Sequence, residues 1–291
     1  MKKTALITGA TSGIGKAYAV AYAAQGYQLI LTGRRQELLE SFAHDLSTYF
    51  KIKVTVCLVD FTNTKAFNSF ISYIETALPI HVLVNNAGYG LKKSFTEDTF
   101  NVQWDMVNVH VKASIQLAHL ISANLKVLGL TGTIINVCSL ASMIPLPTSA
   151  MYCSTKSFLV KFSESLALEL KPYGIKVQAL CPGFVHTDFH DKLGIAKEKC
   201  HTKGIVTWMG PEEVVKDSLK ALKHNWQVIC IPGIWNKAAY QVLKIVPRNL
   251  YYKAITEYDS CFSTKIKLLK RRINHEKITF ICATFNTCYP K

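Results

Sequence analysis

Tyr152 and Lys156 are the two residues of this chain whose types and spacing best suit proton transfer. Residues at positions i and i+4 of a helix project from one face, about one turn apart. An ammonium beside a phenol favours the phenolate, so Lys156 is expected to lower the pKa of Tyr152 from its ordinary value of about 10. Such a tyrosine exchanges a proton with an alcohol or carbonyl oxygen near neutral pH. The same spacing is also typical of a solvated helix face. Other motifs therefore have to decide between a catalytic pair and a solvent-exposed pair.

A glycine-rich segment near the N-terminus has the composition of a phosphate-binding turn. Residues 8–15 read Thr-Gly-Ala-Thr-Ser-Gly-Ile-Gly, after an apolar strand-like run and before a helical pattern. Glycines here permit a tight turn and close approach of the backbone to a pyrophosphate, and the helix N-terminus offers unpaired N–H groups. The segment therefore predicts a dinucleotide site, whose predicted contacts are Gly9, Thr11, Ser12, Gly13, Ile14 and Gly15.

The end of the second predicted strand bears on the choice of cofactor. NAD sites usually place an acid here to bind the ribose 2′-OH, whereas this chain has Arg34 and Arg35. Planar guanidinium groups suit a 2′-phosphate. We therefore expect NADP(H) rather than NAD(H). The alternative interpretation is a pair of solvated arginines at the start of a helix.

Strand-like and helical patterns alternate through the first 230 residues, which predicts βαβ units. The strands are predicted near Thr4–Thr8, Gln28–Thr32, Lys53–Val59, His81–Val84, Gly132–Cys138, Lys176–Leu180 and Gln227–Ile231. The helices are predicted near Ile14–Gln25, Gln36–Phe50, Thr64–Leu78, Thr99–Leu128, Ala150–Lys171 and Pro211–Lys223. Seven such strands favour an α/β fold with a doubly wound, seven-stranded parallel sheet, the Rossmann fold.

The domain organisation follows from this rhythm. Residues 1–235 are expected to form a single Rossmann-fold domain, and residues 184–210 an insertion that covers the carboxyl side of the sheet as a lid. Residues 236–291 form a basic, aromatic-rich C-terminal extension. Two interpretations of this extension stay open: a helix packed on the domain, or a face resting on a membrane surface.

Composition narrows the classes of function. The chain has 291 residues, 49% of them hydrophobic and 18% charged, as in globular α/β proteins. No apolar run reaches the roughly 20 residues of a membrane span, and no export signal is evident, so a cytoplasmic location is expected. The net charge of +15 suits anionic ligands, but no nucleic-acid motif accompanies it. Nine scattered cysteines do not suggest a disulfide framework.

The predicted lid contains a pair of histidines whose spacing could suit a metal site. His186 and His190 have helical i, i+4 spacing. Further potential ligands close in sequence are Asp188, Asp191, Cys200 and His201. No Glu adjoins the histidines as in His-Glu-x-x-His, so incidental histidines of a lid helix are favoured and no metal is expected.

Five motifs resemble those of the short-chain dehydrogenase/reductase family in order and spacing, over about residues 1–235. They are Thr8–Gly15, Asn85-Asn86-Ala87-Gly88, Ser139, Tyr152 with Lys156, and Pro182-Gly183. The resemblance implies the Rossmann fold and a nicotinamide cofactor. It further implies that members pair through the long helices carrying Asn108 and Tyr152, so a homodimer or homotetramer is expected.

The resemblance also implies roles for individual residues. The catalytic set implied is Asn108, which holds a water of the proton relay, Ser139, which binds the substrate oxygen, Tyr152, the acid/base, and Lys156, which binds the ribose and tunes the tyrosine. The further cofactor contacts implied are Asp60, Asn86, Ala87, Gly88, Pro182, Gly183 and Thr187, in addition to Tyr152 and Lys156.

These features predict an NADP(H)-dependent oxidoreductase that transfers a hydride between the nicotinamide and a carbonyl or secondary alcohol. The apolar residues of the predicted lid favour a hydrophobic substrate, such as a lipid, acyl or steroid-like ketone; they are Phe184, Phe189, Leu193, Ile195, Val206, Trp208 and Met209. The principal alternative is an NADP(H)-binding regulator without turnover. A dehydratase or epimerase would need acid/base residues that the sequence does not identify, and a nucleic-acid binder lacks a motif.

Overall fold

The computed structural model describes residues 2–91, 93–187, 208–224 and 227–262. The strands are β1 (Thr4–Ile7), β2 (Gln28–Gly33), β3 (Val54–Leu58), β4 (Val82–Asn85), β5 (Gly132–Val137), β6 (Ile175–Leu180), β7 (Phe184–Val185), β8 (Trp208–Met209) and β9 (Ile229–Cys230). The α-helices are α1 (Gly13–Ala23), α2 (Gln36–Phe50), α3 (Thr64–Thr76), α4 (Phe100–Val107), α5 (Ala113–Val127), α6 (Ala150–Leu170), α7 (Pro211–His224), α8 (Ile234–Ile245) and α9 (Arg248–Phe262).

Seven strands form one parallel sheet in the order β3-β2-β1-β4-β5-β6-β9. The order reverses direction between β1 and β4, as in a doubly wound sheet. The predicted Rossmann fold is confirmed, and the predicted strands and helices lie within a few residues of those observed. The exception is the predicted helix Thr99–Leu128, which a π-helical turn at Asn108–Lys112 divides into α4 and α5.

Helices cover both faces of the sheet, because its central strands are apolar on both sides. In β1, Ala5 and Ile7 pack against α1 and α2, while Leu6 points to the opposite face. That face packs against α3, α5 and α6, where Phe67, Leu117 and Leu170 lie buried. Alternation of side chains along a strand explains how one four-residue strand serves both cores.

The segment that follows the sheet's sixth strand departs from the βαβ rhythm. β7 and β8 pair in parallel as a separate two-stranded sheet, so the predicted insertion begins and ends with short strands. After β9, α8 and α9 extend the chain across the carboxyl side of the sheet. The Tyr251 hydroxyl of α9 donates to the Pro145 carbonyl, 2.7 Å away, which anchors this extension to the domain. In the described ranges, no helix has the length and hydropathy needed to cross a bilayer.

Candidate active site

A cavity of about 720 Å³ opens at the carboxyl ends of β1, β4, β5 and β6. It brings together most of the residues that the sequence predicts for cofactor binding and catalysis. Those that line it are Gly9, Thr11, Ser12, Gly13, Ile14, Arg34, Arg35, Asp60, Asn86, Ala87, Gly88, Ser139, Tyr152, Lys156, Pro182, Gly183 and Thr187. Two predicted residues, Gly15 and Asn108, are not part of its described wall.

The glycine-rich turn lies so close to the end of β4 that side chains would not fit. Gly9 has a φ of +67°, and a Cβ there would lie 2.9 Å from the Ala87 Cα. A Cβ on Gly15 would lie 2.4 Å from the Gly9 carbonyl oxygen. Asn86 braces the same turn, because its Nδ2 donates to the carbonyls of Thr8 (3.0 Å) and Gly9 (2.9 Å). Gly15 therefore supports the turn from beneath rather than lining the cavity.

The glycine-rich turn forms a cradle in the cavity wall at the N-terminus of α1. Ser12 precedes the helix, and its side chain makes no capping bond to α1. Gly13 has a φ of +55°, and a Cβ there would lie 2.6 Å from the Thr187 Cγ2, so the space above the turn admits only backbone. Free N–H groups and the helix dipole at such a position favour an anion. The cradle therefore fits the pyrophosphate of a dinucleotide.

The two arginines take different positions at the end of β2. The Arg35 Nη2 donates to Thr11 Oγ1 at 2.8 Å and to Ser12 Oγ at 3.0 Å, so this guanidinium lies directly over the glycine-rich turn. Arg34 is more exposed and forms an ion pair with Asp60, Nη1 to Oδ2, at 3.5 Å.

Asp60 is held as a carboxylate at this end of the cavity. Partial burial alone would raise its pKa, but hydrogen bonds from Thr62 and the charge of Arg34 outweigh burial and lower it. The Thr62 backbone N–H and its hydroxyl both donate to Asp60 Oδ1, each at 2.9 Å. Arg34, Arg35 and Asp60 thus form a polar rim around the place where an adenosine ribose would lie.

Tyr152 and Lys156 lie one turn apart on α6, as predicted, but their environments differ. The Lys156 Nζ is 5.9 Å from the centroid of the Tyr152 ring and donates to the Val137 carbonyl at 2.7 Å. Lys156 is only 5% exposed. Burial lowers its pKa, an effect that the neighbouring thiols of Cys138 and Cys181 partly oppose. The bond to Val137 fixes the ammonium at the end of β5, inside the cavity wall.

Ser139 follows β5 and begins a single 3₁₀ turn, Leu140–Ser142. Its Oγ accepts a hydrogen bond from the Ala141 N–H at 3.1 Å, which leaves the hydroxyl hydrogen available to donate into the cavity. The turn is tied to α6, because the Ser157 hydroxyl donates to the Ser142 carbonyl at 2.6 Å. Ser139, Tyr152 and Lys156 are thereby held around one space.

Comparisons with known proteins agree with this arrangement. Residues 3–198 match the family model described as short chain dehydrogenase. The chain belongs to the short-chain dehydrogenase family. It is 35% identical to sulfoacetaldehyde reductase 2 of Chromohalobacter salexigens over 191 residues, which cover 65% of this chain and 75% of that protein.

A second relative is named for a different reaction. The short-chain dehydrogenase is 34% identical to very-long-chain 3-oxoacyl-CoA reductase-A of Danio rerio over 189 residues, or 64% of this chain and 59% of the relative. Among solved structures, it superposes on a short-chain dehydrogenase from Sphingobium yanoikuyae in complex with NADPH with a TM-score of 0.75. That match has 27% identity and covers 86% of this chain and 95% of the other.

In the short-chain dehydrogenase, the predicted residue Asn108 lies in the π-helical turn. Asn108 opens this turn half-buried, and the cavity wall next to it is formed by Asp105 and Val109. The His110 ring, two residues further on, lies against Tyr152, with 5.9 Å between the ring centroids. The role of Asn108 in a proton relay stays a prediction.

His110 is fully buried and bonded at both ring nitrogens. Its Nε2 accepts from the Tyr89 N–H at 3.0 Å, and its Nδ1 lies 3.0 Å from Thr155 Oγ1. Burial and then the charge of Lys156 hold the pKa of His110 well below its usual value. Gly88 makes room for the ring, since a Cβ there would lie 2.9 Å from Nε2. A sequence signal existed: His110 follows Asn108 on the same predicted helix.

The other end of the cavity has an apolar wall built from segments far apart in the sequence. Its apolar lining residues are Leu140, Ile144, Leu146, Phe184, Val185, Ala239 and Leu243. Asn236 of α8 also lines it, and its Nδ2 donates to the Pro232 carbonyl at 2.9 Å. The short-chain dehydrogenase thus uses its C-terminal extension to close the site, which the sequence did not predict.

Part of the predicted lid is described and packs as an aromatic group. Trp208 lies against the rings of Phe184 (5.2 Å between centroids) and His186 (5.1 Å), so His186 takes part in ring packing. Met209 is buried beside it. Outside the described residues lie Phe189, Leu193, Ile195 and Val206 of the predicted lid, and His190, Asp188, Asp191, Cys200 and His201 of the considered metal site.

Proposed function

We propose that this short-chain dehydrogenase is an NADP(H)-dependent oxidoreductase acting on the carbonyl or secondary alcohol of a hydrophobic substrate. The observation that carries the proposal is the convergence of Ser139, Tyr152 and Lys156 on the cavity that also contains the glycine-rich turn. Proton donors and a buried cation at one end, and a phosphate cradle at the other, suit a reaction in which a bound nicotinamide supplies or accepts the hydride.

The chain's own residues would move the proton. In the reducing direction, the Ser139 hydroxyl donates to the carbonyl oxygen and orients it, and the Tyr152 hydroxyl transfers its proton to that oxygen. The Lys156 ammonium, held by Val137, stabilises the tyrosinate that remains. Donors fixed in advance where negative charge develops account for much of the gain in such sites.

The preference for NADP(H) rests on Arg34 and Arg35. Both line the cavity, and Arg35 lies over Thr11 and Ser12 of the turn that cradles the pyrophosphate. A 2′-phosphate added to the ribose would meet these guanidinium groups, while Asp60 stays engaged with Arg34 and Thr62. The NADPH complex of the Sphingobium relative is consistent with this assignment.

A hydrophobic substrate is favoured by the apolar wall next to the catalytic residues. The charged side chains in the described lining are Arg34, Arg35, Asp60, Asp105 and Lys156. None of these comes from residues 140–146 or from α8, so in the described wall a sulfonate would find no cation there. The reaction for which the Danio rerio relative is named, on very-long-chain 3-oxoacyl-CoA, therefore suits the wall better than that of the Chromohalobacter relative.

The experiment is NADPH oxidation by the purified protein with a panel of long-chain ketones, 3-oxoacyl thioesters and small aldehydes including sulfoacetaldehyde. Tyr152→Phe should lower turnover by at least about 10²-fold and leave the NADPH dissociation constant unchanged. Tyr173→Phe removes a hydroxyl from an exposed tyrosine outside the cavity and is the matched control. Full activity of Tyr152→Phe would refute the proposed role.

The same panel tests the alternative of an NADP(H)-binding regulator. A regulator would bind NADPH in a fluorescence titration and oxidise it with no member of the panel. The presence of Ser139, Tyr152 and Lys156 together in the cavity favours the enzyme. A best substrate that is small and polar would contradict only the assignment of substrate class.

We also propose that the C-terminal extension makes peripheral contact with an anionic membrane surface. The residues of α8 that face away from the cavity are apolar and exposed: Ile234, Trp235, Val242 and Ile245. Lys237 and Lys244 flank this stripe, and residues 227–256 contain no Asp or Glu. An apolar stripe with Trp and flanking cations is typical of helices that lie in the membrane interface.

Flotation with vesicles tests this contact. The protein should bind phosphatidylserine-containing vesicles more than phosphatidylcholine vesicles, and the double variant Ile234→Ser/Ile245→Ser should bind at least about 10-fold less. Leu38→Ser/Tyr49→Ser, which alters exposed apolar residues of α2, is the control. Equal binding by both double variants would contradict the assignment to α8.

Self-association is proposed through the outer faces of the long helices, as in the family. α6 exposes Phe158 and Leu168, which are 45% and 66% accessible in the single chain. Light scattering after size exclusion should give the mass of a dimer or tetramer, reduced by Phe158→Glu/Leu168→Glu. A monomeric mass for the unaltered protein would refute the assembly.

A further inference from the structure

We propose that His110 is a positioning residue for Tyr152 and Lys156, and that it acts only as the neutral imidazole carrying its proton on Nδ1. The inference rests on the proposed function for its kinetic part. It assigns a role to a side chain that lies behind the cavity wall, where the sequence motifs indicated an asparagine two residues earlier.

The hydrogen bonds around His110 determine its tautomer. The Tyr89 N–H can only donate, so the Nε2 that it meets at 3.0 Å must be unprotonated. The proton therefore resides on Nδ1, which donates to Thr155 Oγ1 at 3.0 Å. The Thr155 hydroxyl in turn donates to the Tyr152 carbonyl at 3.0 Å. Each donor in this series of hydrogen bonds has one acceptor. In the other tautomer, the Nε2–H of His110 would point at the Tyr89 N–H.

These hydrogen bonds connect two parts of the site whose relative position has to be maintained. Tyr89 follows Gly88 in the segment after β4 that lines the cavity, whereas Thr155 lies between Tyr152 and Lys156 on α6. The imidazole also makes edge-on contacts with the rings of Tyr89 (5.7 Å between centroids) and Tyr152 (5.9 Å). His110 therefore fixes both the backbone of Tyr152 and one side of its ring.

Protonation of His110 would disrupt this arrangement. A hydrogen on Nε2 would face the Tyr89 N–H, and a second positive charge would stand beside Lys156 in a buried region. In the described part of the chain, the titratable groups that face His110 are Lys156 and Tyr152 from α6 and Tyr89 from the segment after β4. With no acid among these groups to offset the charge, we expect the site to lose its geometry when the imidazole is protonated.

Two variants separate positioning from general structure. His110→Asn keeps an amide donor at the Nδ1 position for Thr155 and cannot titrate, although it is too short to replace Nε2 as the acceptor for Tyr89, whereas His110→Phe keeps a ring and loses both bonds. We expect His110→Asn to retain kcat within about 5-fold at pH 7.5, and His110→Phe to lose about 10- to 100-fold, with the NADPH dissociation constant within about 3-fold in both. A kcat for His110→Phe equal to that of the unaltered protein would overturn the proposal.

The pH dependence distinguishes positioning by a neutral imidazole from a purely structural role of His110. The folded-state pKa of His110 lies below its unfolded value of about 6.5, so the unfolded chain binds the extra proton as the pH falls below about 6.5. The melting temperature of the unaltered protein should fall there, kcat should fall only at the lower pH where the folded-state imidazole takes up a proton, and His110→Asn should fall less in each. Identical acid limbs in the two proteins would contradict the proposal.

A spectroscopic measurement on the protein without substrate or cofactor completes the test. Nitrogen-15 spectra of histidine-labelled protein should show one imidazole, absent from His110→Asn, whose Nδ1 is protonated and Nε2 unprotonated at pH 7. The opposite tautomer would overturn the proposal even if turnover were normal. If no substrate is turned over but this spectrum and the stability profile are as expected, the proposed function fails while the bonding of His110 stands.

Discussion

The two ends of the cavity are built on different principles. At the cofactor end, the backbone of Gly9 lies against that of Ala87, and the absence of side chains at Gly9 and Gly13 sets the free space. At the substrate end, the wall consists of side chains from residues 140–146, from Phe184 and from α8. The first end is a contact between backbones, and the second is a contact between side chains.

This difference explains what each end tolerates. A backbone contact leaves no freedom for substitution, because any Cβ on Gly9 meets the Cα of Ala87 at 2.9 Å. An apolar wall needs only residues of suitable volume, so many sequences can form it. The cofactor end therefore leaves a motif in the sequence, and the substrate end does not.

The largest effect is expected from adding a methyl group at the cofactor end. Gly9→Ala should raise the NADPH dissociation constant on the order of 100-fold, since overpacking against rigid backbone costs about 1–3 kcal/mol and the turn has to move away from Ala87. Gly26→Ala is the matched control: its φ of +79° imposes similar backbone strain, but no atom lies within 4 Å of its Cβ position. Fluorescence titration measures both.

Equal NADPH binding by the two alanine variants would contradict the proposed difference between the two ends of the cavity. In that case the crowding at Gly9 would be relieved by small shifts, and the motif would reflect backbone conformation alone. Both variants should lose about 1–2 kcal/mol of unfolding free energy because a left-handed φ is unfavourable for alanine, and Gly9→Ala should lose more because of its contact with Ala87.

The fold and the cofactor end could be predicted from sequence because both depend on local pattern. The alternating strand and helix patterns predicted the doubly wound parallel sheet that is observed. The predicted cofactor contacts among residues 9–15, apart from Gly15, line the cavity together with Arg34 and Arg35, and their contacts with a cofactor stay predictions. Asn108 lies in a π-helical turn outside the described cavity wall, and its role in a proton relay stays a prediction; the contact of His110 with Tyr152 depends on tertiary packing that the sequence pattern does not show. Asn236 and Leu243 could not be predicted to line the cavity, since nothing in the local sequence of α8 indicates which part of the domain it packs against.

The next largest effect on cofactor binding is expected from removing the two arginines at the cofactor end of the cavity. Arg34→Ala/Arg35→Ala should raise the NADPH dissociation constant about 10- to 100-fold and change that of NADH by less than about 3-fold, since charged hydrogen bonds are worth about 1.5–3 kcal/mol. Lys53→Ala/Lys65→Ala removes the same charge at exposed positions outside the cavity and controls for long-range attraction. Equal losses for both cofactors would refute the 2′-phosphate assignment.

The smallest effect is expected at the substrate end, from a charge placed in the apolar wall. Leu243 lines the cavity beside Ala239 and Asn236 on the inner face of α8. Leu243→Lys should lower kcat/KM for a long-chain ketone about 10-fold, because burying an apolar group against a large side chain contributes about 1.5–3 kcal/mol and the lysine chain can partly turn away. The NADPH dissociation constant should not change.

The ratio of two substrates makes this last prediction specific to the wall. A short ketone that reaches Ser139 and Tyr152 without extending to α8 should keep its kcat/KM in Leu243→Lys, whereas the long-chain ketone loses its contact. Leu250→Lys, which places the same charge at an exposed position of α9, should affect neither substrate. If both ketones lost activity equally, α8 would be affecting the proposed catalytic residues. The distinction between a cofactor end built from backbone and a substrate end built from side chains would then not hold.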